Sequence, residues 1–316
     1  MEARRKVLKA ALAAGTLLHT RFSLADAVQH VSPVGFPVPA DACDCHTHIH
    51  GDPARFPFFA GRVYTPEMAT PEQMLAVHKA LGIKRVVIVT PSVYGTDNAA
   101  TLWGMRARGR DARGVAVIDE NTPESELDSM HKAGVRGIRL NLTQGGTNDP
   151  DVARKRFADS LKRVKQRKWH IQFNTRPQMI AALKDALAAS PVPLVFDHFG
   201  GARPELGVQQ PGFYDLAELV HSGKAYVKIS VGSGPRDTYT GYAPLARALI
   251  AANPARILWG TNWPHPNAGS GRNPTEVTPL FQVDNGLVLN QLPIWAPDVA
   301  QRNQILVQNP ARLYEF

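Results

Sequence analysis

The stretch Lys84-Arg85-Val86-Val87-Ile88-Val89, followed after a turn-rich interval by helix-period residues over 98–108, decides the fold. β-Branched side chains suit a pleated strand, whereas apolar residues recurring every three to four positions suit one face of a helix. Outward from this unit the same pair of signals recurs eight times. Strand runs are read at 42–48, 84–89, 114–118, 135–142, 169–173, 194–197, 225–230 and 256–259. Helix-period segments follow at 71–81, 98–108, 123–133, 152–167, 178–188, 213–222, 242–252 and 298–308. Pro71 and Pro123 stand at or near a first turn, where a missing N–H is harmless. Strands joined through one helix must run parallel, because the chain has to cross over. Eight such units predict an α/β fold, a closed (β/α)8 TIM barrel. A doubly wound open sheet is the weaker reading, since no glycine-rich phosphate turn follows the first strand.

The 316-residue chain carries 36 Lys+Arg against 27 Asp+Glu, a formal charge of +9, with 44% apolar residues. That composition excludes a disordered or collagen-like chain. Cys43 and Cys45 are its only cysteines, too few for a disulfide scaffold or a four-thiolate zinc site. Residues 1–27 read as a twin-arginine export signal: Arg4-Arg5, a nine-residue apolar run over 10–18, and Ala25-Asp26-Ala27 at the cleavage point. The apolar run is well short of the ~20 residues a membrane span needs. The expected address is therefore the periplasm, with 28–316 as one barrel domain. The signal holds five basic and two acidic residues, so its removal lowers the charge to +6. The remaining basic residues are scattered along helix faces such as 154–168, which argues against nucleic acid and leaves an anionic small molecule as partner. Neither a later membrane span nor a signal of oligomeric state is legible.

In such a barrel the chemistry belongs at the C-terminal ends of the strands. Strand one ends Asp44-Cys45-His46-Thr47-His48, strand six ends Asp197-His198, and strand eight runs into Thr261-Asn262-Trp263-Pro264-His265. Simple alternation puts Asp44, His46 and His48 on the mouth-facing side and turns both thiols outward beneath the helices. The two thiols sit too far apart for a disulfide. Trp259 and Trp263 are read as packing, and segments 51–70 and 266–293 as loops over the pocket.

These motifs, with Pro91-Ser92-Val93-Tyr94-Gly95-Thr96-Asp97-Asn98, Gly134-Val135-Arg136-Gly137-Ile138-Arg139, Phe196-Asp197-His198 and Asn309-Pro310-Ala311-Arg312-Leu313-Tyr314, span nearly the whole chain. In them the chain resembles the amidohydrolase superfamily, in its amidohydrolase-related, 2-pyrone-4,6-dicarboxylate lactonase-like branch. The resemblance implies that His46, His48 and His198 polarise a lactone carbonyl without an obligatory metal, and so act as catalytic residues beside Asn262. It implies that Tyr64, Ser92, Arg139, Arg203 and Arg236 hold substrate carboxylates, as an Arg fork does well. Gln172 and His265 are further substrate-binding candidates.

Three departures from the branch matter. Asn262 stands where the lactonases carry an aspartate that serves as general base, and an amide cannot take that role. Strand five ends in Asn174 rather than a histidine, so no cofactor is expected; zinc or manganese, if bound, would use His46, His48 and His198. The segment Leu142-Thr143-Gln144-Gly145-Gly146 lacks a further arginine for the pyrone dicarboxylate. The first expectation is a hydrolase opening a small carboxylated lactone. The Asn-Trp-Pro-His form also resembles a sugar-acid lactone isomerase, the first alternative. A non-catalytic periplasmic binding protein on the same barrel is the second.

Overall fold

The computed structural model describes residues 29–143, 148–232, 234, 239–269 and 272–316. Both the proposed export signal and Arg236 lie outside the described residues. Eight parallel strands form the central sheet, in sequence order: β1 Cys43–Thr47, β2 Arg85–Val89, β3 Ala112–Ala116, β4 Val135–Asn141, β5 His170–Asn174, β6 Leu194–Phe196, β7 Ala225–Lys228 and β8 Ile257–Leu258. Backbone bonds from Cys45 N–H to the Trp259 carbonyl (2.9 Å) and from Asn262 N–H to the His46 carbonyl (2.9 Å) join β8 to β1. This makes the sheet a nearly closed barrel. Gly260 permits that closure, because a Cβ there would stand 2.8 Å from the backbone nitrogen of His46.

Seven helices make the crossovers: α1 Pro71–Leu81, α2 Ala99–Arg108, α3 Glu124–Lys132, α4 Pro150–Val164, α5 Pro177–Ala188, α6 Phe213–His221 and α7 Tyr242–Ala252. Thr70 and Gln73 cap α1 reciprocally, and Gly82, at φ 71°, ends it in the left-handed region. After β8 a helical run leads through a wider π-type turn into Asn309–Tyr314, longer than the sequence pattern suggested. Asn309 is buried there and donates to the carbonyls of Pro254 and Ile257, tying the run to β8. The third strand begins two residues earlier than read. Val117, past its end, donates its N–H to the Asn98 side chain instead of a strand neighbour.

The first strand departs from simple alternation. Asp44 pairs with Val86 and Thr47 with Ile88, so Cys45 and His46 together oppose Val87: a β-bulge. The expected facing of the thiols is thereby overturned. Cys43 and Cys45 are buried free thiols inside the barrel with Val87, Val89, Val115, Val195, Tyr226 and Leu258. Asp44 points the other way. It accepts from His78 of α1 (3.1 Å), from the Thr261 hydroxyl (2.5 Å) and from the Thr261 N–H (3.0 Å). One extra residue then brings His46 and His48 inward above the thiols.

The two long loops are not independent. Thr65–Pro66, after β1, pairs in parallel with Val277–Thr278, after β8. The Thr65 hydroxyl donates to the Pro274 carbonyl at 2.6 Å, and the Leu280 N–H donates to Glu67 Oε2 at 2.9 Å. Among the described residues no helix is long and apolar enough to cross a membrane.

Candidate active site

A cavity of about 220 Å³ sits at the C-terminal ends of the strands. Each wall comes from a different element. His48 directly follows β1, Arg139 lies on β4 and Asn174 ends β5. Tyr64 and Ser92 come from the loops after β1 and β2, and His198 and Asn262 from those after β6 and β8. Left-handed backbone sets two of these side chains, with φ 50° at His198 and 67° at Asn262. Asparagine tolerates that conformation better than most residues. Asp44, by pinning Thr261 next door, helps hold Asn262 at the mouth.

Below this layer lies a fully buried polar cluster. Asp197 Oδ2 accepts from Arg139 Nε (2.9 Å) and Gln172 Nε2 (3.0 Å), while its Oδ1 faces His46 Nδ1 (3.1 Å) and Lys228 Nζ (3.4 Å). Lys228 donates to Gln172 Oε1 at 2.7 Å and stands 3.3 Å from His46 Nδ1. In the upper layer His48 Nδ1–H donates to the Val89 carbonyl (2.8 Å), and His198 Nδ1 meets the Ser230 hydroxyl (2.8 Å). His46 and His48 present their Nε2 atoms to each other at 3.2 Å. Since the Nδ1 of His48 must carry a hydrogen, its Nε2 in the neutral ring is the unprotonated, accepting nitrogen.

Burial holds all three imidazoles in the neutral form. It pushes His46 and His48 well below the usual histidine range and His198 to about 4. Burial alone would raise Asp197, but the hydrogen bond with His46 and the charges of Lys228 and Arg139 outweigh it and keep the carboxylate ionised. Burial also raises the Tyr64 phenol to about 12, against its hydrogen bond with Ser92 and the charge of Arg139. Tyr64 is thus a hydrogen-bonding group at neutral pH rather than a base.

The residues singled out in the sequence sort into three groups. His48, His198, Asn262, Tyr64, Ser92 and Arg139 meet around the cavity. His46 and Gln172 lie in the layer beneath it, so Asn174, two residues further along β5, is the side chain that reaches the mouth. His265 is buried and bonds to Asn285 Oδ1 at 2.9 Å, bracing the loop after β8 instead of lining the cavity. Arg203 is not in the site: its side chain is 69% exposed, beside Glu205 on a short turn after β6. Asp197 stands inside a quoted motif without an assigned role, and Lys228 was missed. Its signal was a lone charge inside Ala225-Tyr226-Val227-Lys228-Ile229, since a lysine in a buried strand needs a partner.

The donor set does not suit a tight divalent metal. His46 and His48 could converge on a cation, but Asp197 is engaged on both oxygens, Asn262 offers a neutral amide, and Arg139 and Lys228 would repel a dication. No group of three or more His, Cys, Asp or Glu side chains among the described residues has metal-holding geometry.

The family model for amidohydrolases (Amidohydro_2) matches residues 43–316. A 4-sulfomuconolactone hydrolase of Rhizobium radiobacter is 33% identical, over 90% of this chain and 93% of its own. A 2-pyrone-4,6-dicarboxylate hydrolase of Comamonas testosteroni is 30% identical, over 88% and 92%. A D-galactarolactone isomerase of Agrobacterium fabrum is 28% identical, over 89% and 92%. Among solved structures, a Pseudomonas putida protein described as a 2-pyrone-4,6-dicarboxylic acid hydrolase superposes with a TM-score of 0.73 at 27% identity, covering 88% of this chain and 98% of that one.

Proposed function

This chain belongs to the amidohydrolase family, and we propose that it is a hydrolase opening the ring of a small carboxylated lactone. One observation carries this reading: Arg139, Tyr64 and Ser92, which suit a carboxylate, line the same small cavity as His48, His198 and Asn262, which suit an acyl transfer. The carboxylate sits on Arg139, with the Tyr64 and Ser92 hydroxyls beside it. His48 Nε2 takes a proton from water as it attacks the lactone carbonyl. His198 donates from Nε2, its Nδ1 accepting from Ser230, and with the Asn262 amide it stabilises the oxyanion. The acyl C–O bond then breaks, and the His48 imidazolium returns the proton to the departing ring oxygen. His46, Asp197 and Lys228 hold His48 and Arg139 from below. No metal is required for any of these steps.

Asn262 supports a second reading, isomerisation of a sugar-acid lactone. There the attacking hydroxyl belongs to the substrate itself, and such tethering raises its effective concentration to as much as ~10⁵–10⁸ M. That offsets a weaker base. Incubating the protein with a lactone panel, metal-free and with added zinc or manganese, separates the readings by proton NMR. Open-chain acids establish hydrolysis, migration between ring sizes establishes isomerisation, and silence across the panel in both metal conditions sinks the lactone reading. Export through the twin-arginine route, with 28–316 as the mature domain, is part of the proposal. It rests on Arg4-Arg5 and the short apolar run, and cell fractionation of the full chain against an Arg4→Lys/Arg5→Lys variant tests it.

A further inference from the structure

Lys228 does not line the cavity; it is buried in the layer beneath it. Its side chain is fully buried, as is that of Asp197, and its ammonium meets Gln172 Oε1 at 2.7 Å, His46 Nδ1 at 3.3 Å and Asp197 Oδ1 at 3.4 Å. Arg139 meets the other oxygen of the same carboxylate at 2.9 Å. Two cations therefore share one anion. With the imidazoles neutral, the described residues of this cluster hold one positive charge in excess. An isolated Arg139–Asp197 pair would be electrically neutral and would offer little attraction to an incoming anion. An excess buried charge is unfavourable in the empty protein unless something compensates it on binding. The cavity adjoining Arg139 is where that compensation can occur.

We propose that Lys228 is a specificity-determining positioning residue: by neutralising Asp197 from below, it leaves Arg139 as an uncompensated cation at the cavity wall and makes the site select a lactone bearing a carboxylate over the same lactone without charge. Burial draws the Lys228 ammonium toward deprotonation, and Asp197 opposes this, so the two residues act as a unit. A purely space-filling role would place no premium on substrate charge, because an unbranched apolar side chain fills similar volume. This inference deepens the lactone reading and rests on it for the identity of the probe.

The test is equilibrium binding by calorimetry, using muconolactone, which carries one carboxylate, and its methyl ester. Wild-type protein is expected to prefer the acid. Lys228→Met should weaken the acid by about tenfold or more while moving the ester less than about twofold, as expected for loss of a desolvated charge. In Lys228→Met/Asp197→Asn, Arg139 is again the single charge of the cluster, and the acid preference should return. Thermal melts check that each variant is folded. Equal weakening of acid and ester, no weakening, no acid preference in the wild type, or a folded double variant that stays unselective each overturns the proposal. Because the readout is binding, wild-type protein that prefers the acid yet opens no lactone of the panel removes the hydrolase reading and leaves the role of Lys228 standing.

Discussion

The two ends of the barrel interior are built on different principles. The floor is mostly apolar: Cys43, Val87, Val115, Val195, Tyr226 and Leu258 fill it, and Tyr314 of the C-terminal run packs against them and edge-on to the buried His170 ring. The Tyr314 hydroxyl has no hydrogen-bond partner among the described residues, so its ring is what matters there. The mouth is the reverse. Just beneath it Asp197 alone gathers Arg139, Gln172, Lys228 and His46. Volume decides the floor, and charge and proton position decide the mouth. The β1 bulge is where one regime passes into the other, with Cys45 below and His46 above against the same Val87.

Substitutions at the two ends should therefore dissociate. His48→Ala is expected to lower kcat/KM by ~10²–10⁴ while leaving the melting temperature nearly unchanged. Tyr314→Ala should do the opposite, losing about 3–5 kcal/mol in urea unfolding while the folded protein retains its turnover. If Tyr314→Ala abolished turnover in protein shown to be folded, the separation of the two ends would fail. Asn262→Asp restores a carboxylate at the mouth. A gain of about tenfold or more in hydrolysis is expected for a site lacking a base, whereas loss of activity would assign Asn262 a role of its own.

A last effect concerns pH. His198 titrates near 4 in the folded chain against an ordinary 6.5, so below pH 6.5 the unfolded state binds more protons. Stability should be fully present above that pH and fall progressively as pH drops toward 4, with His46 and His48 acting in the same direction. Urea midpoints at pH 8, 6 and 5 read this directly. A flat profile across that range is incompatible with neutral, buried imidazoles.

The alternation of strands and helices was legible because each element announces itself locally. The helices over 71–81 and 242–252 were read with the bounds the structure shows. Histidines at the strand ends were legible for the same reason: position along a short strand approximates height in the barrel. The remainder needed information that local pattern does not carry. Alternation assigns in or out only while register is unbroken, and one extra residue in β1 inverted the reading of the thiols. It also says little about depth, so Gln172, read as a substrate-binding candidate, lies a layer beneath the cavity that Asn174 lines. Lys228 gains its meaning from Gln172 and Asp197, residues far away in sequence. Arg203 shows the converse: an arginine near a strand end follows the turn that carries it, here into solvent.

The pairing of Thr65–Pro66 with Val277–Thr278 has a consequence for anyone redesigning the pocket. The segments that roof it come from opposite termini of the barrel domain but share hydrogen bonds, so they form a single inheritable module. Transplanting one into a related barrel leaves a strand edge without its mate. Moving both together, with Glu67 and Leu280, carries the latch along with the roof.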